Sequence, residues 1–163
     1  MFMNLRNMTT IALLAALIAI SGSFKIPGFI PGTEFQLSAP LAVAICVVYG
    51  FQRYFIAGVI ASTLVLVLGT QTVLNVAIAL LFRVVIGIVF YFGGTSLFMI
   101  VIAGPIASFI ARLAFIGIIG QAGWLVIFAA IPGMVYTALA AWPLTLVLRR
   151  VRQTAERMLT NVV

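Results

Sequence analysis

The chain has very few acidic residues, a single cysteine and no histidine. Glu34 and Glu156 are its only carboxylate side chains, and charged residues of both signs make up 7% of the sequence, against about 25% in a soluble domain. Histidines and clustered carboxylates are the usual metal ligands and general bases, so their scarcity argues against a metal site, a bound cofactor and an enzyme. Cys46 lies in an apolar run and is expected to pack as a small hydrophobe.

The chain is rich in apolar residues. Hydrophobic residues make up 65% of it, against about 45 to 50% in soluble domains. The protein is therefore predicted to be an integral membrane protein. Its formal charge of +7 would suggest nucleic acid as the partner of a soluble protein. In a membrane protein such charges usually set topology, so the expected partner is the lipid bilayer and no nucleic-acid partner is expected.

The apolar sequence divides into six predicted spans. A spanning helix needs about 20 mostly apolar residues, and breaks at glycine, proline and polar clusters separate the runs. Residues 1–163 are thus predicted to form one all-α transmembrane domain with a basic cytoplasmic tail at 149–163. The second and third spans are short, so a single broken hairpin is an alternative, and a cleaved signal peptide is an alternative for the first run. The predicted spans are 8–24, 38–49, 54–68, 72–92, 97–119 and 124–148.

The orientation follows from the basic residues in the short loops. Arg6, Arg53 and the four arginines of the tail fall on one side, and Lys25 falls on the other. Because cytoplasmic loops carry the excess of lysine and arginine, both termini are predicted to be cytoplasmic. The loop 25–37 is then outside, and the polar segments 69–72 and 119–123 lie beside it. These three outer loops are expected to meet over one cavity.

Two arginines fall inside predicted spans. A charged side chain at the bilayer centre costs about 2.5 to 3.5 kcal/mol on insertion scales, so it usually faces an interior and carries function. Arg83 lies midway along the fourth span and Arg112 in the outer half of the fifth. They either line a substrate cavity or bond to backbone carbonyls. Glu34 is the carboxylate on their side that can pair with one of them, which permits an anionic ligand at the other without requiring one.

Further polar residues gather at the outer ends of the spans. Asn75 shares a helical face with Arg83, and Gln71, Gln121 and Trp124 lie at or near outer ends. Apolar walls with a few placed polar groups are typical of a small-molecule site. Trp124 is equally explained as an aromatic of the membrane interface.

The first span carries a stripe of small residues. Ala12 and Ala16, and likewise Ala15 and Ala19, are four residues apart. This spacing lets another helix approach closely, either from within the protein or from a partner.

These features together resemble a known family. The N-terminal helix with TTIALLAALIA, the IPG-containing outer loop and the run FQLSAPLAVAICVVYGFQRYFIAGVIAS are similar to the S components of energy-coupling factor (ECF) vitamin transporters. The resemblance implies a high-affinity substrate-capture subunit of an ATP-driven importer for a small organic micronutrient, located in a bacterial cell membrane. It implies three partners, a transmembrane coupling subunit and two cytoplasmic ATPases. ATP hydrolysis is expected on those partners, because the chain has no phosphate-binding loop.

The resemblance also implies roles for residues. It assigns Glu34, Phe35 and Gln36 to a lid over the site, and the last three helices and the outer loops to the site itself. The alanine stripe becomes the docking surface for the coupling subunit. Which micronutrient is bound stays open. The implied cavity residues are Gln71, Asn75, Arg112, Gln121 and Trp124, with Arg83 added from its depth, and the docking residues are Ala12, Ala15, Ala16 and Ala19.

Two other functions remain open from the sequence. The first is a self-sufficient channel or homo-oligomeric carrier, in which the buried arginines favour anions. The second is a membrane scaffold that transports nothing. Because the polar residues gather at the outer end and the cytoplasmic half of the spans is almost wholly apolar, a cup closed at the bottom is favoured over a pore.

Overall fold

A computed structural model of the protein describes residues 5–27, 34–119 and 123–160. Within these ranges the chain forms six α-helices and one two-stranded antiparallel ribbon. The helical class predicted from the sequence is confirmed, and the short ribbon was not predicted. The helices are α1 (Leu5–Ser23), α2 (Ser38–Tyr49), α3 (Phe51–Val67), α4 (Val73–Gly93), α5 (Leu97–Ile119) and α6 (Gly123–Thr160), and the strands are β1 (Lys25–Pro27) and β2 (Glu34–Gln36).

Four of the described helices are long and apolar enough to cross a membrane, so the protein is an all-α membrane protein. These are α1, α4, α5 over Leu97–Ala114 and α6 over Ile127–Met158. The helices α2 and α3 are shorter, with 12 and 17 residues. Six spans and cytoplasmic termini therefore stay predictions. The end of the bundle where α1 ends and α2 begins is called the predicted outer end below, and the opposite end the predicted cytoplasmic end.

The short helix α2 lies at the centre of the bundle. It contacts each of the other five helices, and Val43, Ala44 and Ile45 in its middle are fully buried. A helix that is apolar all round is expected to be buried on every side. The remaining helices surround it, with α1 against α3, α3 against α4, α4 against α5 and α5 against α6. Protein rather than lipid therefore covers α2, which explains how so short a helix is stable there.

The helices α2 and α3 are joined by one residue, Gly50. Its φ of 85° lies in the left-handed region that glycine adopts without steric cost. The chain reverses direction there, and the Gly50 N–H donates to the Cys46 carbonyl to close the end of α2. The sequence allowed either two spans or one broken hairpin for this segment. The turn at Gly50 divides it into two separate helices.

The helices α5 and α6 continue without a break at the prolines that they contain. Pro105 lies inside α5, and Pro132 and Pro143 lie inside α6. A proline in a membrane helix is tolerated where neighbouring helices compensate for the lost backbone donor. Moreover, α6 continues from the predicted last span through most of the basic tail, to Thr160. The end of the span at 148 is thus not the end of the helix.

Polar contacts tie the helices together at the predicted cytoplasmic end. The Arg152 Nη1 of α6 donates to the Val48 carbonyl of α2, and its Nε lies 2.9 Å from Glu156 Oε1. Glu156 also lies 3.8 Å from Arg6 of α1. The Arg152 guanidinium sits 5.8 Å from the Tyr49 ring centre, in the range of a cation–π contact. These contacts hold α1, α2 and α6 together beneath the apolar core.

Candidate functional site

A cavity of about 180 Å³ lies among the helices α1 to α5. The lining comes from the last turns of α1, the first residues of α2, and the halves of α4 and α5 that lie toward the predicted outer end. The helix α3 contributes residues along most of its length, from Tyr54 to Val65. Its apolar walls include Ile18, Ala42, Val65, Ile78 and Phe82. The cavity lies at the end of the bundle where the sequence analysis places the outer loops, and Gln71 of the segment 69–72 lines it. That the three loops meet over it stays a prediction.

The deep wall of the cavity holds Arg83 of α4. The residue is 7% exposed, and its Nη1 donates a 3.0 Å hydrogen bond to the Ser62 hydroxyl of α3. No other hydrogen bond of the guanidinium is found within the described residues, and its remaining nitrogens are not sealed off from the surface of the cavity. An arginine side chain carries several donors in a planar fork and keeps its charge. Donors therefore remain free for a ligand.

Arg83 passes between α3 and α4 because Gly58 leaves room for it. A Cβ at Gly58 would overlap the Arg83 Nε and lie 2.5 Å from its Cδ. Gly58 and Ser62 are four residues apart, so they share one face of α3. This face holds the stem and the guanidinium of Arg83 in place.

Arg112 of α5 lines the same cavity. Its Nη1 donates to the Ser108 carbonyl at 3.3 Å and also to the Ser108 hydroxyl, one turn earlier on the same helix. The side chain is half-buried. The sequence analysis selected Arg83 and Arg112 for their depth in the predicted spans. Both line this one cavity, and each donates a hydrogen bond to a serine.

Gln71 and Asn75 also line the cavity, nearer its mouth. The Gln71 amide and the Ser38 side chain both lie near Gly22, since a Cβ at Gly22 would be 3.8 Å from Gln71 Nε2 and 3.9 Å from Ser38 Cβ. Thr72 caps the start of α4 by accepting a 3.3 Å bond from the Asn75 backbone N–H. This cap begins α4 at the rim of the cavity and so places Asn75 there.

The electrostatic character of the cavity is positive. Its described lining residues include Arg83 and Arg112 and no carboxylate. Ser38 and Asn75 belong to the first turns of α2 and α4, whose N-terminal ends carry partial positive charge. The arrangement is thus suited to hold an anionic group beside an apolar body. Within the described residues, no group of three histidine, cysteine, aspartate or glutamate side chains can hold a metal ion.

The remaining predicted site residues lie elsewhere. Trp124 is not among the described residues that line the cavity and is 49% exposed, which fits the alternative of an interfacial aromatic. Gln121 lies outside the described residues. Glu34, Phe35 and Gln36 form β2, which pairs with β1 and contacts α6. Their side chains lie outside the described part of the chain, so an ion pair between Glu34 and an arginine stays a prediction.

The four alanines of the predicted docking surface divide between two faces of α1. Ala12 and Ala16 are exposed, whereas Ala15 is 2% exposed and packs in the core. Ala19 is half-buried and lines the cavity. Only Ala12 and Ala16 of these four therefore lie on a surface that a partner helix can reach.

The sequence did not single out Tyr54, Ser62 and Ser108, which the structure places in the cavity lining. Tyr54 is fully buried, and its hydroxyl has no hydrogen-bond partner among the described residues. A buried donor left unpaired costs about 1 to 3 kcal/mol. The spacing of Tyr54, Gly58 and Ser62, each four residues from the next, is the signal that would have found them. The resemblance assigned the site to the last three helices, but α1, α2 and α3 contribute to the lining and no described α6 residue does.

A comparison with known proteins identifies a relative of nearly the same length. The chain is 48% identical over 139 residues to Protein BioX of Lysinibacillus sphaericus, a stretch that covers 85% of this chain and 84% of that protein. The chain belongs to the BioX family. The resemblance to vitamin-transporter S components is thereby confirmed at the level of the family. No family model matches the chain, and no solved structure matches it.

The BioX-family cavity is closed on its deep side. Tyr54 and Ile86 near its base are fully buried, as is Ile100 in the adjoining core. They belong to a continuous apolar cluster that fills the bundle toward the predicted cytoplasmic end. The cavity is thus a cup with one accessible end in this conformation.

Proposed function

We propose that the protein is the substrate-capture subunit of an ATP-driven ECF-type importer in a bacterial cell membrane. Its substrate is a small organic micronutrient that carries a carboxylate, in the class of biotin and related compounds. The observation that carries this proposal is the closed, apolar cavity at the predicted outer end, with Arg83 and Arg112 in its lining. The name of the BioX relative supports the choice of the biotin class.

The cavity suits the chemistry of biotin at both ends. Biotin has a carboxylate on an apolar chain and a polar fused ring with a cyclic urea. Guanidinium groups form strong charge-assisted bonds with carboxylates, and the walls formed by Ile78 and Phe82 are apolar. The amides of Gln71 and Asn75 offer donors and acceptors that match a cyclic urea.

The proposal assigns energy coupling to other subunits. A transmembrane coupling subunit docks on the exposed side of α1, where Ala12 and Ala16 present small side chains that allow close helix packing. Two cytoplasmic ATPases hydrolyse ATP, and this chain catalyses no reaction. The loop 25–37 acts as the lid, since β1 and β2 close a hairpin directly after α1.

The first experiment measures ligand binding to the purified full-length protein in detergent or nanodiscs. Isothermal titration with biotin should give a saturable signal with a dissociation constant far below micromolar, and Arg83→Ala should abolish it. The control is Arg150→Ala, since Arg150 is an exposed residue of α6 remote from the cavity. Absence of binding by biotin and by any other carboxylate micronutrient would refute capture in this cavity.

A second experiment separates capture from autonomous transport. The protein reconstituted alone in liposomes should bind substrate without accumulating it, whereas the native host membrane should yield it in complex with ATPases. A channel or homo-oligomeric carrier predicts uptake by the protein alone. Such uptake would favour the channel or carrier. The fully buried core beneath the cavity argues against that alternative.

A further inference from the structure

Tyr54 presents a buried hydroxyl that the protein leaves unpaired. The residue is 0% exposed and lines the cavity, and its hydroxyl finds no hydrogen-bond partner among the described residues. Buried polar groups in folded proteins almost always have a partner. A phenylalanine would fill the same space without this cost, so packing alone does not account for the oxygen.

The position of Tyr54 relative to Arg83 suggests which group accepts a hydrogen bond from the Tyr54 hydroxyl. Tyr54, Gly58 and Ser62 form one row on α3, and Arg83 lies across Gly58 with its guanidinium bonded to Ser62. Tyr54 is one turn from Gly58 along this row, toward the predicted cytoplasmic end, and it lines the same cavity as Arg83. The deepest part of the cavity lining therefore combines a neutral donor with a cation. The hydroxyl has no accessible surface in the ligand-free protein, so a bound substrate reaches it by displacing the side chains that cover it.

We propose that Tyr54 is a recognition residue that donates its hydroxyl hydrogen to the substrate carboxylate, beside the guanidinium of Arg83. The substrate then enters with its acid group first, and its polar ring end stays near Gln71 and Asn75 at the mouth. This inference rests on the proposed capture function and adds to it a fixed orientation and a requirement for a free acid group. Neutral analogues bind weakly because they leave both the hydroxyl and the guanidinium without an anion to bind.

The orientation follows from the distribution of donors along the cavity. Arg83 lies roughly 15 Å along α4 from its first residue, whereas Asn75 is in the first turn of that helix. A carboxylate is bound most strongly where water is excluded and both a cation and a neutral donor converge. Uncharged amides at the wetter mouth suit the uncharged end of the ligand.

The test compares wild type with Tyr54→Phe, which removes only the oxygen. The matched control is Tyr91→Phe, since Tyr91 is 84% exposed at the other end of α4. Titrations of the purified full-length protein use biotin, pantothenate and lipoate, each beside the primary alcohol that replaces its carboxylate. Biotin extended at its carboxylate by an amide to lysine serves as the probe of orientation.

Tyr54→Phe should weaken binding of the preferred acid about tenfold or more, as expected for a hydrogen bond to a charged group. The alcohol should bind wild type weakly, and Tyr54→Phe should change its affinity by less than about twofold, so that the double-mutant cycle isolates the hydroxyl–carboxylate term. Asn75→Ala should weaken acid and alcohol equally. The lysine-extended biotin should not compete. Both tyrosine variants should elute as the wild type does, which excludes misfolding.

Three results would overturn the inference, and they differ in what they mean for the proposed function. If an acid binds tightly and Tyr54→Phe binds it equally well, the hydroxyl serves water or packing, and capture still stands. If the lysine-extended biotin binds as tightly as biotin, the orientation is reversed. If no acid binds wild type, both the inference and the proposed carboxylate capture fail.

Discussion

Gly58 of α3 lies directly against the Arg83 side chain of α4, and a Cβ at this position would overlap the guanidinium stem. The absent side chain is what lets a buried cation cross between the two helices and reach Ser62 at 3.0 Å. Glycine in a helix interior is less stable than alanine by roughly 0.5 to 1 kcal/mol. The helix is therefore less stable at this point than alanine would make it, and the arginine gains a fixed position.

Gly58→Ala should displace Arg83 from Ser62 and lower substrate affinity about tenfold or more. The new methyl group gains helix propensity, so thermal stability should fall much less than binding does. Gly133→Ala is the control, because a Cβ at Gly133 meets nothing within 4 Å. Titration of both variants with biotin checks the expectation, and unchanged affinity for Gly58→Ala would mean that the position of Arg83 is irrelevant to the ligand.

Arg83→Lys should impair binding more than Arg112→Lys. Arg83 is the more deeply buried of the two and is held by a serine from a neighbouring helix, whereas Arg112 bonds to Ser108 of its own helix. Lysine keeps the charge but loses the planar fork that matches a carboxylate. We expect a loss of about 10- to 100-fold for Arg83→Lys and less for Arg112→Lys, as the loss of one charge-assisted bond implies. Binding constants measured at equal ionic strength decide the order, and the reverse order would place the anion at α5.

Arg152→Ala should destabilise the protein without changing ligand affinity. Arg152 satisfies the Val48 carbonyl at the end of α2, an acceptor with no partner within its own helix, and it also pairs with Glu156. Removing it should cost about 1 to 3 kcal/mol, seen as a melting temperature several degrees lower in detergent. Arg150→Ala on the exposed face of α6 is the control and should melt as the wild type does. A variant that loses affinity instead would connect this end of the bundle to the cavity.

Ala16→Trp should abolish uptake in cells while leaving the affinity for substrate unchanged. Ala16 is exposed on α1, so a large side chain there blocks close approach of a partner helix without entering the core. Leu139→Trp, on the exposed face of α6, is the control for bulk at a lipid-facing position. Ala15→Trp should instead disrupt folding, because Ala15 is buried. Normal uptake by Ala16→Trp would remove α1 from the docking surface.

The sequence predicted the six helices because each contains an apolar run that is bounded by glycine, proline or a polar cluster. The boundaries of α2, α4 and α5 agree with the predicted spans within one residue at either end. The tail was separated from the last span because its arginines interrupt the apolar run. Hydropathy reports where lipid contact ends, and α6 continues because backbone hydrogen bonds do not depend on lipid.

The site was predicted only in part, for reasons that differ between residues. Arg83 and Arg112 were identifiable because a charge in an apolar run has a large energetic cost, and that cost requires an interior place. Tyr54 and Ser62 carry no such signal, since tyrosine and serine are ordinary residues in membrane helices. Trp124 was selected for its chemistry, although its position in the structure is exposed.

Composition and hydropathy by themselves determined that the chain is a helical membrane protein with cations placed where lipid cannot solvate them. These properties are local sums over residues, so no knowledge of packing is needed to derive them. The tertiary structure alone decided that α2 is the buried centre, that Gly58 makes room for Arg83, and that Ala15 is buried whereas its neighbour Ala16 is exposed. Each of these depends on which helices are neighbours and on the rotation of each helix about its axis, and an almost uniformly apolar sequence hardly encodes that rotation in its periodicity.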